Sequence, residues 1–334
     1  MLAKRYYWLL MRKLMRKLMP IVLFPLLLAA CGSGTGAGAR HPGVAQVAYA
    51  GSLQLLNEKV IGPAYTRSTG FGYQGRAGGS LGLAGEIGAG EISPNVFESV
   101  GATPIERLYP KKATWYVQFA ASPLVLAYNP KSRFAPELAS IASGKVPLLR
   151  LFALLSSPGF LLGRTNPATD PQGQAFWEMV ELAAARYHLG RSAPSRILGA
   201  PVDSSQVFQE TALEARLEAG QLDAASAFLS QAVQLKLPYI ALPAAIDFGS
   251  PALVASYARA TLTLPGGQVV HGAPLTIDIT EVGKGSPAAA AYIKYVLSPA
   301  GRRAFAKAGY SLLQPEAFGT GVPASVRAAI DRAR

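Results

Sequence analysis

Gly163-Arg-Thr-Asn-Pro-Ala-Thr-Asp-Pro-Gln-Gly-Gln-Ala-Phe-Trp-Glu-Met179 puts a carboxylate, Asp170, at the point where an extended segment gives way to a helix. The apolar residues 158–163 predict a short buried strand, and the Asn166-Pro167 and Asp170-Pro171 pairs predict turns. Residues 172–187 carry Phe176, Met179, Val180 and Ala183 at helical spacing. In an open α/β sheet such a loop lies at the carboxyl end of a strand, where ligands bind, and the free N–H groups and dipole of the following helix favour an anion. Asp is also a preferred capping residue, so Asp170 is either a cap or a member of a site.

The same order of elements recurs toward the N-terminus. Val44–Ala50 predicts a strand that runs into Gly51-Ser52 and a helical pattern in Leu53, Leu56 and Val60. A second strand, near 71–76, runs into Gly78-Gly79-Ser80-Leu81 and another helix. Gly lets the backbone approach a ligand closely, and Ser sets a hydroxyl beside free amides, which is the chemistry of an anion cradle. Ser52 and Ser80 are equally suited to ordinary helix caps. Toward the C-terminus, residues 116–128 read as one long β-type segment, taken as the first crossover between two lobes, with a helical stretch from there to about 155. Residues 206–219 predict a helix with Glu210 at its start, 222–228 and 239–243 strands, 260–270 a hairpin, and 286–308 a helical region.

The 334 residues, half of them hydrophobic, suit two lobes of ~100–150 residues each. Alternating strands and helices make the fold class α/β. Both lobes are expected to be discontinuous, 44–125 plus 249–334 forming the first and 126–248 the second. The formal charge of +13 invites a nucleic-acid partner, but Lys4, Arg5, Arg12, Lys13, Arg16 and Lys17 all precede Cys31. Without residues 1–30 the balance falls to +7, and the remaining cations are scattered with no block interleaved with aromatics, so no nucleic-acid partner is expected.

Residues 1–30 read as an export signal, with a basic start and an apolar run, Ile21 to Ala30, far shorter than the ~20 residues a bilayer-spanning helix needs. Leu28-Ala29-Ala30-Cys31 looks like a lipobox, at which the signal is cleaved and Cys31, the single cysteine, takes a lipid. The alternative for a lone cysteine is an inert buried thiol. The Gly-rich residues 31–43 predict a flexible tether.

Gly78-Gly-Ser-Leu-Gly82 also matches the Gly-x-Ser-x-Gly nucleophile elbow, which leaves a cell-envelope serine hydrolase using Ser80 as an alternative. That elbow needs a buried apolar strand before it and a firm helix after it, with an acid and a His following. Here Tyr-Gln-Gly-Arg-Ala precedes it, the helix after it holds Gly82, Gly85, Gly88 and Gly90, and His188 and His271 fall at a helix end and in a hairpin. A catalytic role is therefore not expected.

Ala50-Gly51-Ser52-Leu53, Gly78-Gly79-Ser80, Leu124-Val-Leu-Ala-Tyr-Asn129, Asn166-Pro-x-x-Asp170-Pro-x-Gly173, Glu210 and the ending Leu297-Ser-Pro-x-Gly301 to Gly309-Tyr310 together resemble the solute-binding lipoproteins of ABC importers, in particular the molybdate and tungstate binders. The resemblance spans essentially the whole chain after Cys31. It implies a two-lobed periplasmic binding protein fold that closes over a tetrahedral oxyanion, with donors from Gly51, Ser52, Gly79 and Ser80. It also implies that Asp170 and Glu210 reach the molybdenum or tungsten and make it six-coordinate. No cofactor is implied; the partners are the oxyanion, a permease with its ATPase, and the membrane through the lipid on Cys31, for a monomer on the periplasmic or extracellular face. The tungstate-binding branch resembles having a tyrosine where this chain has Phe228.

The carboxylate pair bears on ligand choice. Two ionised carboxylates repel a dianion by about 1 kcal/mol per pair even in bulk water at 4 Å. Molybdenum or tungsten can take a carboxylate oxygen as a ligand, hydrogen phosphate can donate a hydrogen bond to one, and sulfate can do neither. The expected order is tungstate or molybdate, then phosphate, then sulfate.

Overall fold

The computed structural model describes residues 43–333. The export segment 1–30, Cys31 and the tether up to residue 42 lie outside the described residues. Strands are numbered in chain order: β1 (Val44–Ala50), β2 (Gly72–Gly78), β3 (Val96–Val100), β4 (Trp115–Ala121), β5 (Leu124–Tyr128), β6 (Leu162–Thr165), β7 (Val207–Phe208), β8 (Ala224–Phe228), β9 (Tyr239–Ala241), β10 (Thr261–Thr263), β11 (Val269–His271), β12 (Thr276–Glu281) and β13 (Ser311–Gly319).

Two mixed sheets flanked by helices result. The first has the order β13-β4-β12-β3-β1-β2, with β1 parallel to β2 and β3 and with β12 antiparallel to β3 and β4. The second has the order β7-β6-β8-β5-β9, with β6 parallel to β7 and β8, and β5 antiparallel to β8 and β9. β5 and β8 are buried along their whole length, as the apolar runs Leu-Val-Leu-Ala-Tyr and Ala-Ala-Ser-Ala-Phe require of central strands. The hairpin β10–β11 stands apart from both sheets.

The segment read as one strand over 116–128 is two strands in different sheets. Pro123 has no N–H to give a ladder, and the chain changes partners there. Ser122 N donates to Leu275 O at 3.1 Å, Leu124 N to Asp247 O at 2.7 Å and Leu275 N to Phe248 O at 2.8 Å, so the outgoing and returning segments are bonded side by side. The Ser122 hydroxyl adds a bond to the Ser230 hydroxyl at 3.0 Å.

Other boundaries shift for local reasons. The helical stretch expected up to 155 is two helices, Ala135–Ala142 and Leu149–Leu155, and the region 286–308 divides into Pro287–Leu297 and Pro299–Lys307. The second division falls at Ser298-Pro299, where the Ser298 hydroxyl accepts from Gly301 N and Pro supplies the helical φ of a first turn. The strand expected over 158–163 begins only at Leu162, because residues 158–160 form a turn. Three strands of the first sheet, β3, β12 and β13, carry no plain sequence signal. β3 and β12 each bury a carboxylate, Glu98 and Asp278, and so break the apolar pattern.

Candidate functional site

The loop after β6 forms as the sequence predicts, and its backbone explains its composition. Thr169 N and Asp170 N both donate to Asn166 O, at 3.1 and 2.9 Å, and Asn166 Oδ1 accepts from Ala168 N at 2.9 Å. Gly173 is required because a Cβ there would lie 2.5 Å from Thr165 O and 2.8 Å from Pro167 N. The helix Pro171–Arg186 then starts at Asp170, whose Oδ1 accepts from Gln172 N at 2.8 Å. Asp170 is thus a helix cap, and it also lines a cleft.

That cleft, of about 580 Å³, is lined on one side by Gly51, Gly78, Gly79 and Gly82, and on the other by Asn166, Thr169, Asp170 and Glu210. Glu210 opens the helix Glu210–Glu218, and the segment before it is shorter in helix than expected: Val207 and Phe208 form β7 beside β6. The fully buried Arg164 of β6 holds this arm. Its guanidinium donates to Leu198 O, Ala200 O and Pro201 O at 2.7–3.0 Å and to Gln206 Oε1 at 3.3 Å.

The opposing walls meet closely. Gly82 N donates to Thr169 O at 3.0 Å. A Cβ on Gly79 would stand 2.4 Å from Thr169 O, and one on Gly51 would stand 2.1 Å from Glu210 Oε2. At Gly79 the neighbour is backbone, so only glycine admits the approach, whereas at Gly51 it is the far end of the Glu210 side chain. The two serines behave differently from the expected caps: neither makes a capping bond in its own helix. Ser52 is buried behind Gly51 and its hydroxyl has no partner, while Ser80 Oγ accepts from Val100 N at 3.1 Å and retains its proton to donate. Among the described residues no histidine is hydrogen-bonded to Ser80; His271 Nδ1 lies 3.1 Å from Ala258 O.

Burial pushes the Asp170 carboxyl up to about 6, against the Gln172 N–H that favours its charged form. Glu210 is pushed well above the carboxylate range, first by burial and then by the charges of Asp170 and Glu214. The donors aimed at each group, the Gln172 N–H at Asp170 and the Gln231 amide and Ser52 N–H at Glu210, favour the charged carboxylate against that burial.

Several residues bonded around the two carboxylates have no sequence signal. Gln231 Nε2 donates to Glu210 Oε1 at 2.8 Å and also to Glu214 Oε1. Its oxygen accepts from Phe228 N at 2.8 Å and from Gln172 Nε2 at 2.9 Å, and Gln172 Oε1 in turn accepts from Ser226 Oγ at 2.8 Å. Gln172 thus links Asp170, through its backbone N–H, to Gln231, through its side chain, and Gln231 in turn holds Glu210. Only Glu214 was within reach of sequence reasoning, since it lies one helical turn beyond Glu210. Phe228, the departure from the resemblance, is buried and contributes only its N–H to this network. Arg76 is the one basic residue lining the cleft among the described residues, and it is paired with Glu86 at 2.7 Å. Among the described residues no group of three His, Cys, Asp or Glu could hold a metal ion.

Residues 45–311 match the family of bacterial extracellular solute-binding proteins. The chain belongs to that family. Family members are extracytoplasmic binding components of transporters, not a family of enzymes. A protein of Haloferax volcanii named as an ABC transporter molybdenum-binding protein is 33% identical over 254 residues, covering 76% of this chain and 77% of that protein. The molybdate/tungstate-binding protein WtpA of Pyrococcus abyssi is 26% identical over 250 residues, covering 67% of this chain and 70% of that protein. Among solved structures, the periplasmic molybdate-binding protein of Azotobacter vinelandii superposes with a TM-score of 0.53 at 18% identity, covering 80% of this chain and 99% of that one. That likeness bears on the fold, and it agrees with the two-sheet architecture of this solute-binding protein.

Proposed function

We propose that this solute-binding protein captures a tetrahedral oxyanion, tungstate or molybdate ahead of phosphate and then sulfate, and delivers it to the permease and ATPase of an ABC importer. The observation that carries the reading is the convergence of two buried carboxylates, Asp170 and Glu210, on a cleft whose facing wall is glycine backbone. The anion's oxygens would take the free amides near Gly51 and Gly79 and the hydroxyls of Ser52 and Ser80. Asp170 and Glu210 would supply the fifth and sixth oxygens to molybdenum or tungsten, which turns repulsion into coordination. The relatives named for molybdenum and for molybdate or tungstate support the same ligand class.

In this reading residues 44–125 with 249–334 form one lobe and 126–248 the other, the crossing being drawn back to Pro123 because Leu124 and Val125 already pair with β8 and β9, and the paired segments around Ser122 and Asp247 act as the hinge. The protein works as a monomer, held to the membrane by a lipid on Cys31. The test is a calorimetric titration with tungstate, molybdate, sulfate and phosphate in one buffer. Submicromolar binding of tungstate or molybdate, with none of sulfate, is expected. Asp170→Ala and Glu210→Ala should each weaken tungstate by at least about tenfold, equivalent to about 1.4 kcal/mol. Parent-like affinity in both variants would refute the coordination by carboxylates, and silence from all four anions would refute the ligand class.

A further inference from the structure

Glu210 stands in an unusual place for a ligand residue. Its Oε1 is taken by Gln231 Nε2 at 2.8 Å, within its own half of the molecule. Its Oε2 crosses to the other half and sits so close to Gly51 that a Cβ there would lie 2.1 Å away. The Ser52 N–H favours its charged form, and the Ser52 hydroxyl beside it has no partner. A carboxylate therefore already occupies the backbone turn that an oxyanion would use, with two oxygens and a negative charge like those of the anion. The Gln231 amide cannot rotate away, because its oxygen is fixed by Phe228 N and Gln172 Nε2.

We propose that Glu210 is an internal anion: in the empty protein its carboxylate docks on the Gly51-Ser52 turn and latches the two halves together, and an arriving oxyanion must displace it. The inference rests on the reading of this cleft as an oxyanion site, in which the displaced carboxylate then moves onto the metal. Two consequences follow from the geometry. The empty protein is held partly closed by a contact that spans the cleft, and ligands too weak to displace a carboxylate are rejected before closure. Gln231 is a positioning residue in this scheme, since it aims Oε2 across the cleft by holding Oε1.

The experiment is hydrogen–deuterium exchange of the parent, Glu210→Ala and Gly51→Ala in the absence of any anion, then with sodium tungstate. Gly51→Ala attacks the same contact from the opposite wall and leaves the carboxylate in place. The peptide over residues 50–56 is expected to exchange faster in both variants than in the parent, while the β12 peptide, none of whose residues lines the cleft, stays equally protected and shows that both variants are folded. Unchanged exchange over 50–56 in the two folded variants would overturn the latch. Loss of β12 protection in one variant leaves the other to decide. Because this comparison is made without ligand, it stands or falls separately from the ligand class; a parent that shows the latch but gains no protection from tungstate would refute the ligand assignment alone.

Discussion

Two glycines facing the cleft, Gly79 and Gly51, meet obstacles of different kinds. At Gly79 the obstacle to a side chain is the Thr169 carbonyl, 2.4 Å from where a Cβ would stand, and that carbonyl is itself held by Gly82 N. At Gly51 the obstacle is the tip of a flexible glutamate. Backbone cannot swing aside and a side chain can. Gly79→Ala is therefore expected to weaken oxyanion binding more than Gly51→Ala, with an overpacking cost of about 1–3 kcal/mol felt in the closed form. Parallel titrations of the two variants against tungstate check the order. Asp170 was legible in the sequence because Asn-Pro, Asp-Pro and a periodic apolar run surround it. Gln172 and Gln231 were not, since a polar residue in a helix has no pattern that distinguishes a buried hydrogen-bonding role from a solvated one.

At the scale of elements, β6 organises the second half of the site. One end leads into the Asp170 loop, and Arg164 in its middle clamps the segment that delivers Glu210. The buried guanidinium satisfies the buried carbonyl of Leu198 and the part-buried carbonyls of Ala200 and Pro201. Arg164→Met keeps the volume and strands those carbonyls, at a cost on the order of 1–3 kcal/mol for each group left buried and unpaired. A lowered midpoint of denaturant unfolding, with tungstate affinity falling further in the variant that remains folded, is the expected result. The sequence placed the helix at 206–219 too early because Gln206 and Val207 fit an amphipathic pattern. Pairing of Val207 and Phe208 with β6 won over that local preference.

The whole molecule carries a charge term independent of the cleft. Glu98, on β3, is fully buried, with Asn57 Nδ2 donating to Oε2 at 2.6 Å and Oε1 unpartnered, and burial pushes it up to about 7. Asp278, on β12, is pushed up to about 7 by the same cause. Both groups bind protons more tightly in the folded than in the unfolded chain. Their contribution to stability is present below the ordinary carboxylate range and is lost as pH rises through about 7. The empty protein should therefore unfold at a lower temperature at pH 8 than at pH 5.5. Glu98→Gln should flatten that profile by roughly 3 kcal/mol at the alkaline end. Thermal unfolding across this pH range, with and without the substitution, reads it directly; equal slopes in the two proteins would remove Glu98 from the account.

What the amino-acid sequence determined by itself is the set of local units: a strand ending at Gly51-Ser52, another ending at Gly79-Ser80, and the turn-rich loop that sets Asp170 on a helix start. These are legible because turn chemistry and periodicity act over a few residues. Which units face one another was decided only by the tertiary structure. The division of residues 116–128 between two sheets, the antiparallel return of β12 into the first sheet, and the meeting of Gly51 with Glu210 depend on contacts across roughly a hundred residues or more of chain. No short-range preference encodes such contacts; they form because burying both sheets and satisfying their backbone leaves one arrangement in which the glycine turns and the two carboxylates share a cleft.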